Sequence, residues 1–281
     1  MILGLAPNVP DPPLLVATVL ALAAVELAKA ERWRTLFAAA APSYARCLRA
    51  LVAGQLTNAL SPLRAGEAVR LGLITAEGGQ LVPAAAALAA AKAIDTLALA
   101  AIAASVLGAA VLGSGVWTLA AALLVLVAGT AAMLVGPRLR AWLLASPLAR
   151  RLRLASIVDV AETLRRPRAL AVIAAATAFV WLSGMAANWL VLLAVGTPPT
   201  VDLAARVIVV GYLSGLLPAP PGRLGVYEAA VVAALTSGGV PLGEAIPAAI
   251  ALHICQLAEL GLLLALSLVA SGRWRPVWSR G

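Results

Sequence analysis

The chain alternates long apolar segments with short breaks rich in glycine, proline and charge. An α-helix needs about 20 consecutive apolar residues to cross the hydrocarbon core of a bilayer. The pattern therefore predicts an all-α, polytopic integral membrane protein, with a single transmembrane domain over 1–281 and about five full spans. The predicted spans are at about 13–31, 81–112, 116–135, 168–195 and 245–271.

Other apolar segments are too short to cross a bilayer. Residues 44–60 stop before Pro62, and residues 203–217 stop at Pro218, which precedes another short segment at 224–237. Proline ends a helix, and irregular backbone at membrane depth is tolerated only where it is buried in protein or lines a cavity. Two such breaks, at corresponding places in the two halves, indicate a site for a polar group.

The composition agrees with a membrane protein and argues against a soluble enzyme. The 281 residues are 63% hydrophobic and 12% charged, and their mean hydropathy is +0.99. Soluble domains are about 45–50% apolar and about 25% charged. Cys47 and Cys255 belong to no metal or redox motif, so both are expected in the apolar core. The sequence also lacks hydrolase, metalloprotease and nucleotide-binding motifs, which predicts no catalytic activity, no cofactor and no metal site.

Positive charge predicts which side of the membrane each loop occupies. The net charge is +9, and eight arginines fall within 137–168. Basic loops stay in the cytoplasm and can contact anionic lipid head groups. No nucleic-acid recognition module accompanies this basic loop, so nucleic acid is not an expected partner.

The end of the first span is assigned to the cytoplasm by the same rule. Lys29, Arg32 and Arg34 supply its positive charge, and Trp33 is expected to anchor it at the membrane interface. The basic C-terminal segment 272–281 belongs to the same side.

These assignments predict one re-entrant hairpin in each half. Residues 44–80 lie between two cytoplasmic ends, so they must enter the membrane and return on one side. Residues 203–237 lie between two turns without Lys or Arg, so they must dip in from the outside. The halves, about 13–135 and 168–271, then form an inverted repeat joined by the basic loop 137–168.

The first hairpin contains the segment SPLRAGEAVR, which combines a helix break with charge. Gly66 permits a sharp turn, and a helix beginning there offers free N–H groups to an anion. Arg64 and Arg70 add positive charge, and Glu67 suits the helix dipole. We interpret the segment as a binding site for phosphate or another anionic head group. Alternatively, Glu67 and the two arginines form an internal ion pair that only holds the loop.

The second hairpin repeats this logic in the segment PAPPGRLGVYEA. Arg223 lies at the tip, and Gly225, Tyr227 and Glu228 begin the outgoing helix. Charge buried in lipid is costly and marks functional pathways, so Arg223 and Glu228 are candidates for head-group binding. Tyr227 can hydrogen-bond a head group or simply pack against apolar neighbours.

Charged residues also lie inside two predicted spans. Lys92 and Asp95 fall near the middle of 81–112, where they can pair with each other or, for Asp95, face an arginine of a hairpin. Glu259 lies at mid-depth in the last span and is a candidate for proton or head-group coupling. His253 is on a different face of that helix and is expected to be packed and hydrogen-bonded.

At these motifs the sequence resembles the transmembrane, flippase-like domain of lysylphosphatidylglycerol synthases. The segments that carry the resemblance are ERWR (31–34), NALSPLRAGEAVR (58–70), AKAID (91–95) and PAPPGRLGVYEA (218–229). They cover the whole chain in the order of the family. The resemblance implies that the matching positions form the family's site: Arg64, Gly66, Glu67, Arg70, Asp95, Gly225, Tyr227 and Glu228.

Three positions depart from the family pattern. Lys92 stands near where the family usually has Arg, Arg223 replaces a glycine, and His253 lies where an Arg is common. The extra charge of Arg223 is expected to alter head-group preference or weaken function. The family also usually has one more helix before the segment that ends in RWR, so a truncated chain or an upstream start is expected.

The combined expectation is a bacterial inner-membrane protein that translocates, or binds for translocation, an amphiphile with a charged head group. The expected partners are membrane phospholipids or a lipid-linked substrate, such as an aminoacylated or glycosylated lipid. One alternative is an accessory subunit that presents a lipid-linked substrate to a separate transferase. Another is a small-solute secondary transporter that uses Asp95, Glu67 or Glu259 as proton carriers.

Overall fold

A computed structural model of the chain describes residues 10–37, 41–61, 65–112, 141, 145–147, 155–215, 217 and 219–270. Within these ranges the fold is all-helical and contains no strand, as predicted. The α-helices of the described ranges are α1 Pro12–Leu36, α2 Tyr44–Leu60, α3 Gly66–Ala76, α4 Leu81–Leu112, α5 Ala155–Arg165, α6 Pro167–Ala194, α7 Val201–Ser214, α8 Val226–Ser237 and α9 Leu242–Ala270. A short 3₁₀-helix, Pro221–Arg223, lies between α7 and α8.

Four of these helices are long and apolar enough to span a membrane. The spanning segments are Pro12–Leu36, Leu81–Val106, Pro167–Ala194 and Leu242–Ser267. They correspond to four of the predicted spans and make this a multi-pass membrane protein. The other predicted span, 116–135, and the turn before it lie outside the described residues, as do the C-terminal basic segment and the part of the basic loop that carries five of its eight arginines.

Several helices begin at local sequence signals. Pro12 and Pro167 occupy the first turns of α1 and α6, where a missing N–H group costs no hydrogen bond. Ser43 and Thr200 cap α2 and α7, because each side-chain oxygen accepts a backbone N–H of the first turn. α1 continues to Leu36 rather than ending near residue 31, so the ERWR segment is helical.

Two pairs of short helices occupy corresponding places in the two halves. α2 packs against α3, and α7 packs against α8. Each pair precedes a long helix, α4 or α9, which contacts the second member of the pair. The halves are joined because α1 packs along α6 and also contacts α2, α4 and α9.

The apolar core is divided between the halves. One cluster, which includes Trp33 and Cys47, joins the end of α1 to α2 and α4. Another, which includes Val191 and Leu252, joins α6, α7, α8 and α9. Both cysteines are buried and free, as expected for core residues. Trp33 is fully enclosed, so the prediction that it anchors the membrane interface is wrong: the longer α1 carries it into the bundle.

The outer faces of the spanning helices are apolar. Val16 and Leu20 on α1, Leu182 on α6, and Ile254 and Leu266 on α9 are all exposed. Lipid tails are as apolar as leucine, so these side chains suit contact with a bilayer. On the same helices, the polar residues Glu26, Arg32, Asn188 and Glu259 are buried within the bundle.

Candidate functional site

A cavity of about 520 Å³ lies among the helices of both halves. Small-molecule sites typically have volumes of about 300–1,000 Å³, so this one can hold a lipid head group. Charge inside a bundle of membrane-spanning helices is costly and marks a functional site. The polar and charged side chains of its wall are Glu26, Lys29, Arg32, Gln55, Asn58, Ser61, Glu67, Arg70, Lys92, Asp95, Asn188, Tyr212, Arg223, Tyr227, His253, Gln256 and Glu259.

The cavity brings together most of the residues that the sequence singles out. Those in the wall are Glu67, Arg70, Lys92, Asp95, Arg223, Tyr227 and Glu259. Gly66 and Glu228 are the chain neighbours of the wall residues Glu67 and Tyr227, and Gly225 lies two residues from Tyr227; none of the three lines the cavity itself. Arg64 lies outside the described residues. The predicted residues of the wall therefore come from both helix breaks and from two spans, α4 and α9.

Sequence reasoning missed the charged face of α1. Glu26, Lys29 and Arg32 all line the cavity, because a spacing of three residues places side chains on neighbouring positions of one helix face. Lys29 Nζ donates to Glu26 Oε1 at 2.7 Å, and Gln55 Nε2 donates to the same oxygen at 3.2 Å. Lys29 and Arg32, whose charge assigned this end of α1 to the cytoplasm, therefore face the cavity and not an outer surface. The sequence signal for this face is the regular spacing of one acidic and two basic residues, three positions apart, within an apolar helix.

A buried ion pair ties α1 to α4. Arg32 Nη2 donates to Asp95 Oδ2 at 2.7 Å, and Arg32 Nη1 donates to Thr177 Oγ1 of α6 at 3.3 Å. The Arg32 side chain is only 2% exposed. Asp95 therefore does not pair with Lys92, contrary to one of the predicted alternatives. Lys92 Nζ lies instead 3.0 Å from Glu67 Oε1, across the gap between α4 and α3.

Asn58 joins the two arms of the first helix pair. Its Oδ1 accepts the N–H of Gly66 at 2.8 Å, and its Nδ2 donates to Glu67 Oε2 at 3.3 Å. One of the N–H groups expected to bind an anion is therefore already occupied. A Cβ atom on Gly66 would collide with the carbonyl oxygen of Gly54 and with the Asn58 side chain, so this close approach requires glycine.

Arg70 has no ion-pair partner among the described residues. It is 4% exposed, and its buried Nε atom makes no hydrogen bond. The predicted internal pair with Glu67 is absent. The carboxylates that act on Arg70 electrostatically are Glu26, Glu67 and Asp95, and each of them binds a different cation. The guanidinium is thus available to an anion that enters the cavity.

Arg223 is held at the second helix break. Its Nη2 donates to the carbonyl oxygen of Gly211 at 2.8 Å and to Ser214 Oγ at 2.6 Å. Its guanidinium carbon lies 5.3 Å from the centre of the Tyr227 ring, a cation–π distance. The φ angle of Arg223 is +56°, in the left-handed region that favours glycine. This backbone conformation explains why a glycine would fit well at the position.

Glu228 supports the wall of the cavity without forming it. Its Oε2 accepts the N–H of Gly225 at 2.8 Å and so caps α8. Its Oε1 lies 2.6 Å from His253 Nδ1, and the His253 ring packs 4.8 Å from that of Tyr227. Gln256 Nε2 donates to the Tyr227 hydroxyl at 2.7 Å. His253 is therefore packed and hydrogen-bonded, as predicted.

Buried polar atoms without a hydrogen-bond partner gather around the cavity. Within the described part of the chain, those on wall residues include Glu26 Oε2, Arg32 Nε, Trp33 Nε1, Arg70 Nε, Asp95 Oδ1, Trp181 Nε1 and Glu259 Oε2. Buried polar groups normally have partners, so this wall has unused capacity to bind water or a polar ligand. The same part of the chain contains no group of His, Cys, Asp and Glu side chains arranged to hold a metal ion.

The fold and the cavity define the class of protein: a multi-pass, all-helical membrane protein with a charged internal site. The family model for the lysylphosphatidylglycerol synthase TM region matches residues 8–267. The chain therefore belongs to this family, and the resemblance seen in its motifs is confirmed. No curated protein and no solved structure gave a significant match.

Proposed function

We propose that this protein is a lipid translocase of the bacterial inner membrane. Its substrate would be an amphiphile with a charged head group, such as an aminoacylated or glycosylated lipid. The observation that carries the proposal is the cavity of about 520 Å³, whose wall is charged while the surrounding spans expose apolar side chains. A charged head group loses its hydration in lipid at high cost, and polar side chains can replace the lost water.

Under this proposal the two short-helix pairs are re-entrant hairpins. α2, α3, α7 and α8 contain 17, 11, 14 and 12 residues, which is fewer than the roughly 20 needed to cross a bilayer. Their breaks have internal hydrogen bonds, from Gly66 to Asn58 and from Arg223 to Gly211. Irregular backbone inside a membrane needs such hydrogen bonds, because lipid offers its polar groups no other partner. Opposed hairpins support an inverted repeat that opens the site to either side.

Arg70 is proposed to bind the anionic part of the head group. It is buried at the cavity without an ion-pair partner in the described ranges, and a guanidinium forms strong, bidentate hydrogen bonds with phosphate. Glu67 and Lys92 form a partly exposed pair at the same wall. We expect this pair to exchange partners with an incoming head group, since little desolvation is needed to open it.

Reconstitution in liposomes tests the proposal. A label restricted to one leaflet would report movement of lysyl-phosphatidylglycerol and, separately, of a polyprenyl-phosphate sugar. Glu67→Gln removes a cavity charge, whereas Glu77→Gln alters the same helix pair at an ion pair with Arg49 outside the cavity. Wild type and Glu77→Gln should move one of the probes, and Glu67→Gln and Arg223→Ala should not.

Two results would contradict the proposal in different ways. If Glu67→Gln and Arg223→Ala move lipid as fast as wild type, the site is misassigned. If folded wild-type protein moves neither probe, translocation is the wrong function. A protein that binds a probe without moving it would fit the alternative of an accessory subunit that presents a lipid-linked substrate to a separate transferase.

A further inference from the structure

One carboxyl group of the cavity wall forms no ion pair with any of the described residues. Glu259 of α9 lines the wall, is 6% exposed, and its buried Oε2 atom has no hydrogen-bond partner. Among the described residues no basic side chain lies within ion-pair distance of it. The other carboxylates of the wall are bound in the pairs Glu26–Lys29, Glu67–Lys92 and Asp95–Arg32.

The groups that face Glu259 come from α1, α2, α6 and α8, which pack against α9, and from α9 itself. Glu26 and Lys29 of α1 act on Glu259 electrostatically, but Lys29 is already bound to Glu26 at 2.7 Å. The other polar groups that these helices bring to the wall or its support are Arg32, Gln55, Asn58, Asn188, Tyr227, Glu228, His253 and Gln256. Arg32 is bound to Asp95, and His253 to Glu228.

Lys29 and Arg70 both act electrostatically on Glu26, whereas the cation that acts on Glu259 is Lys29, which is already bound to Glu26. Glu259 is buried without a contacting cation or a hydrogen-bond donor in the described ranges. Its negative charge is therefore costly in a site of low dielectric constant, and the cost disappears when the carboxyl group holds a proton. Glu26 receives hydrogen bonds from both Lys29 and Gln55, and these favour its charged form. Glu259 receives none in the described structure, so the proton belongs on Glu259 when the cavity is empty.

We propose that Glu259 is a proton carrier that exchanges its proton for a cationic group of the substrate. The inference rests on the proposed translocase function and adds its energy source. In the exchange the carboxylic acid of Glu259 releases one H⁺ to water, and the resulting carboxylate binds one ammonium group of the head group. No covalent bond to carbon is made or broken. The ammonium group and the proton therefore move in opposite directions across the membrane.

The structure also separates the carboxyl groups that sequence analysis considered as proton carriers. Asp95 and Glu67 each have a cation within 3.0 Å, so each already has a counter-charge in the wall. Glu259 has none in the described ranges. In an exchange, the carrier loses its proton only when a cation of the substrate takes the place of that proton. Glu259 meets this condition, because no cation of the described ranges is bound to it.

Proteoliposomes that contain a pH-sensitive dye test the exchange. The probe is leaflet-labelled lysyl-phosphatidylglycerol, with phosphatidylglycerol as the lipid that lacks an amine. Glu244→Gln is the matched control, because Glu244 also lies on α9 but binds Thr197 outside the cavity. In wild type and in this control, a pH difference of one unit should shift the leaflet ratio of the aminoacylated lipid by up to about tenfold. Protons should move in the opposite direction to the lipid.

Glu259→Gln should abolish both the proton flux and the response to the gradient. If wild type moves the lipid equally with and without the gradient, the proton exchange is overturned and the translocase proposal stands. If folded wild type moves no lipid, the translocase proposal fails, and infrared spectroscopy still tests the proton. The carbonyl stretch of a protonated carboxyl group should be present in wild type and in Glu67→Gln and absent in Glu259→Gln.

Absence of this band in wild type, or its persistence in Glu259→Gln, would overturn the assignment of the proton. Glu259→Asp provides a second variant if Glu259→Gln does not fold. It keeps a carboxyl group, so proton flux should continue and the band should move to the frequency of an aspartic acid side chain. An unshifted band in Glu259→Asp would equally overturn the assignment.

Discussion

Replacing Asp95 by Asn tests how much the buried charge of the cavity wall contributes to stability. The substitution leaves the Arg32 guanidinium, 2% exposed, without a carboxylate. Loss of one partner of a buried ion pair costs about 3–5 kcal/mol. Asp95 itself is 21% exposed, and asparagine can still accept a hydrogen bond. We therefore expect a loss at the lower end, about 3 kcal/mol in the free energy of unfolding.

The Lys92–Glu67 pair provides the comparison. Its N–O distance of 3.0 Å is close to the 2.7 Å of Arg32–Asp95, but its side chains are 54% and 39% exposed. Exposed ion pairs contribute about 0–1 kcal/mol. Glu67→Gln makes the same change from carboxylate to amide, so burial is the main difference between the two variants. It should cost less than about 1 kcal/mol.

Denaturant unfolding of the purified protein in detergent measures both losses. The double variant Arg32→Gln, Asp95→Asn removes both charges and should recover much of the stability that Asp95→Asn loses, because no uncompensated charge remains. Equal losses for Asp95→Asn and Glu67→Gln would contradict a cost that depends on burial. A double variant less stable than Asp95→Asn alone would contradict the cost assigned to an uncompensated charge on Arg32.

Three further substitutions have expected outcomes. Gly66→Ala should lose about 1–3 kcal/mol in unfolding free energy, because the new Cβ atom collides with α2. The control Gly72→Ala, on the same helix, meets no atom within 4 Å and should be neutral or stabilising. Equal effects of the two substitutions would contradict the close contact at Gly66. Arg223→Gly relieves a left-handed backbone worth roughly 1 kcal/mol, but it also removes the hydrogen bonds to Gly211 and Ser214, which contribute about as much. Its unfolding free energy should therefore change little. It should nevertheless move no lipid, and a lipid-transport assay that finds it active would contradict the proposed role. Gln256→Leu should lose about 1 kcal/mol with its hydrogen bond to Tyr227, and unchanged thermal unfolding would contradict that contact.

The spans and the helix breaks could be predicted because both depend on short contiguous stretches. A bilayer selects apolar runs by length, so α4, α6 and α9 were found close to their observed bounds. The end of α1 was not, because a local rule assigns Lys29 and Arg32 to water. In the folded chain Arg32 has a partner 63 residues away, which makes burial of its charge possible.

The residues that form the site were easier to predict than the contacts that they make. Lys92 and Asp95 were recognised as charges at membrane depth, and a spacing of three residues suggested that they pair. Each binds a charge on another helix instead, Glu67 on α3 and Arg32 on α1. The spacing along one helix indicates which side chains lie close enough to pair. The packing of neighbouring helices determines which ion pairs form.

Short contiguous stretches of sequence are enough to specify a multi-pass helical membrane protein with two broken segments that carry charge, and its motifs identify the family. The sharing of charge within the cavity wall depends on the folded arrangement of the helices. In that wall three carboxylates pair with three cations, and Arg70 and Glu259 have no ion-pair partner among the described residues. Hydrophobic length is a property of contiguous residues, whereas ion pairing depends on distances between helices that are remote in the chain.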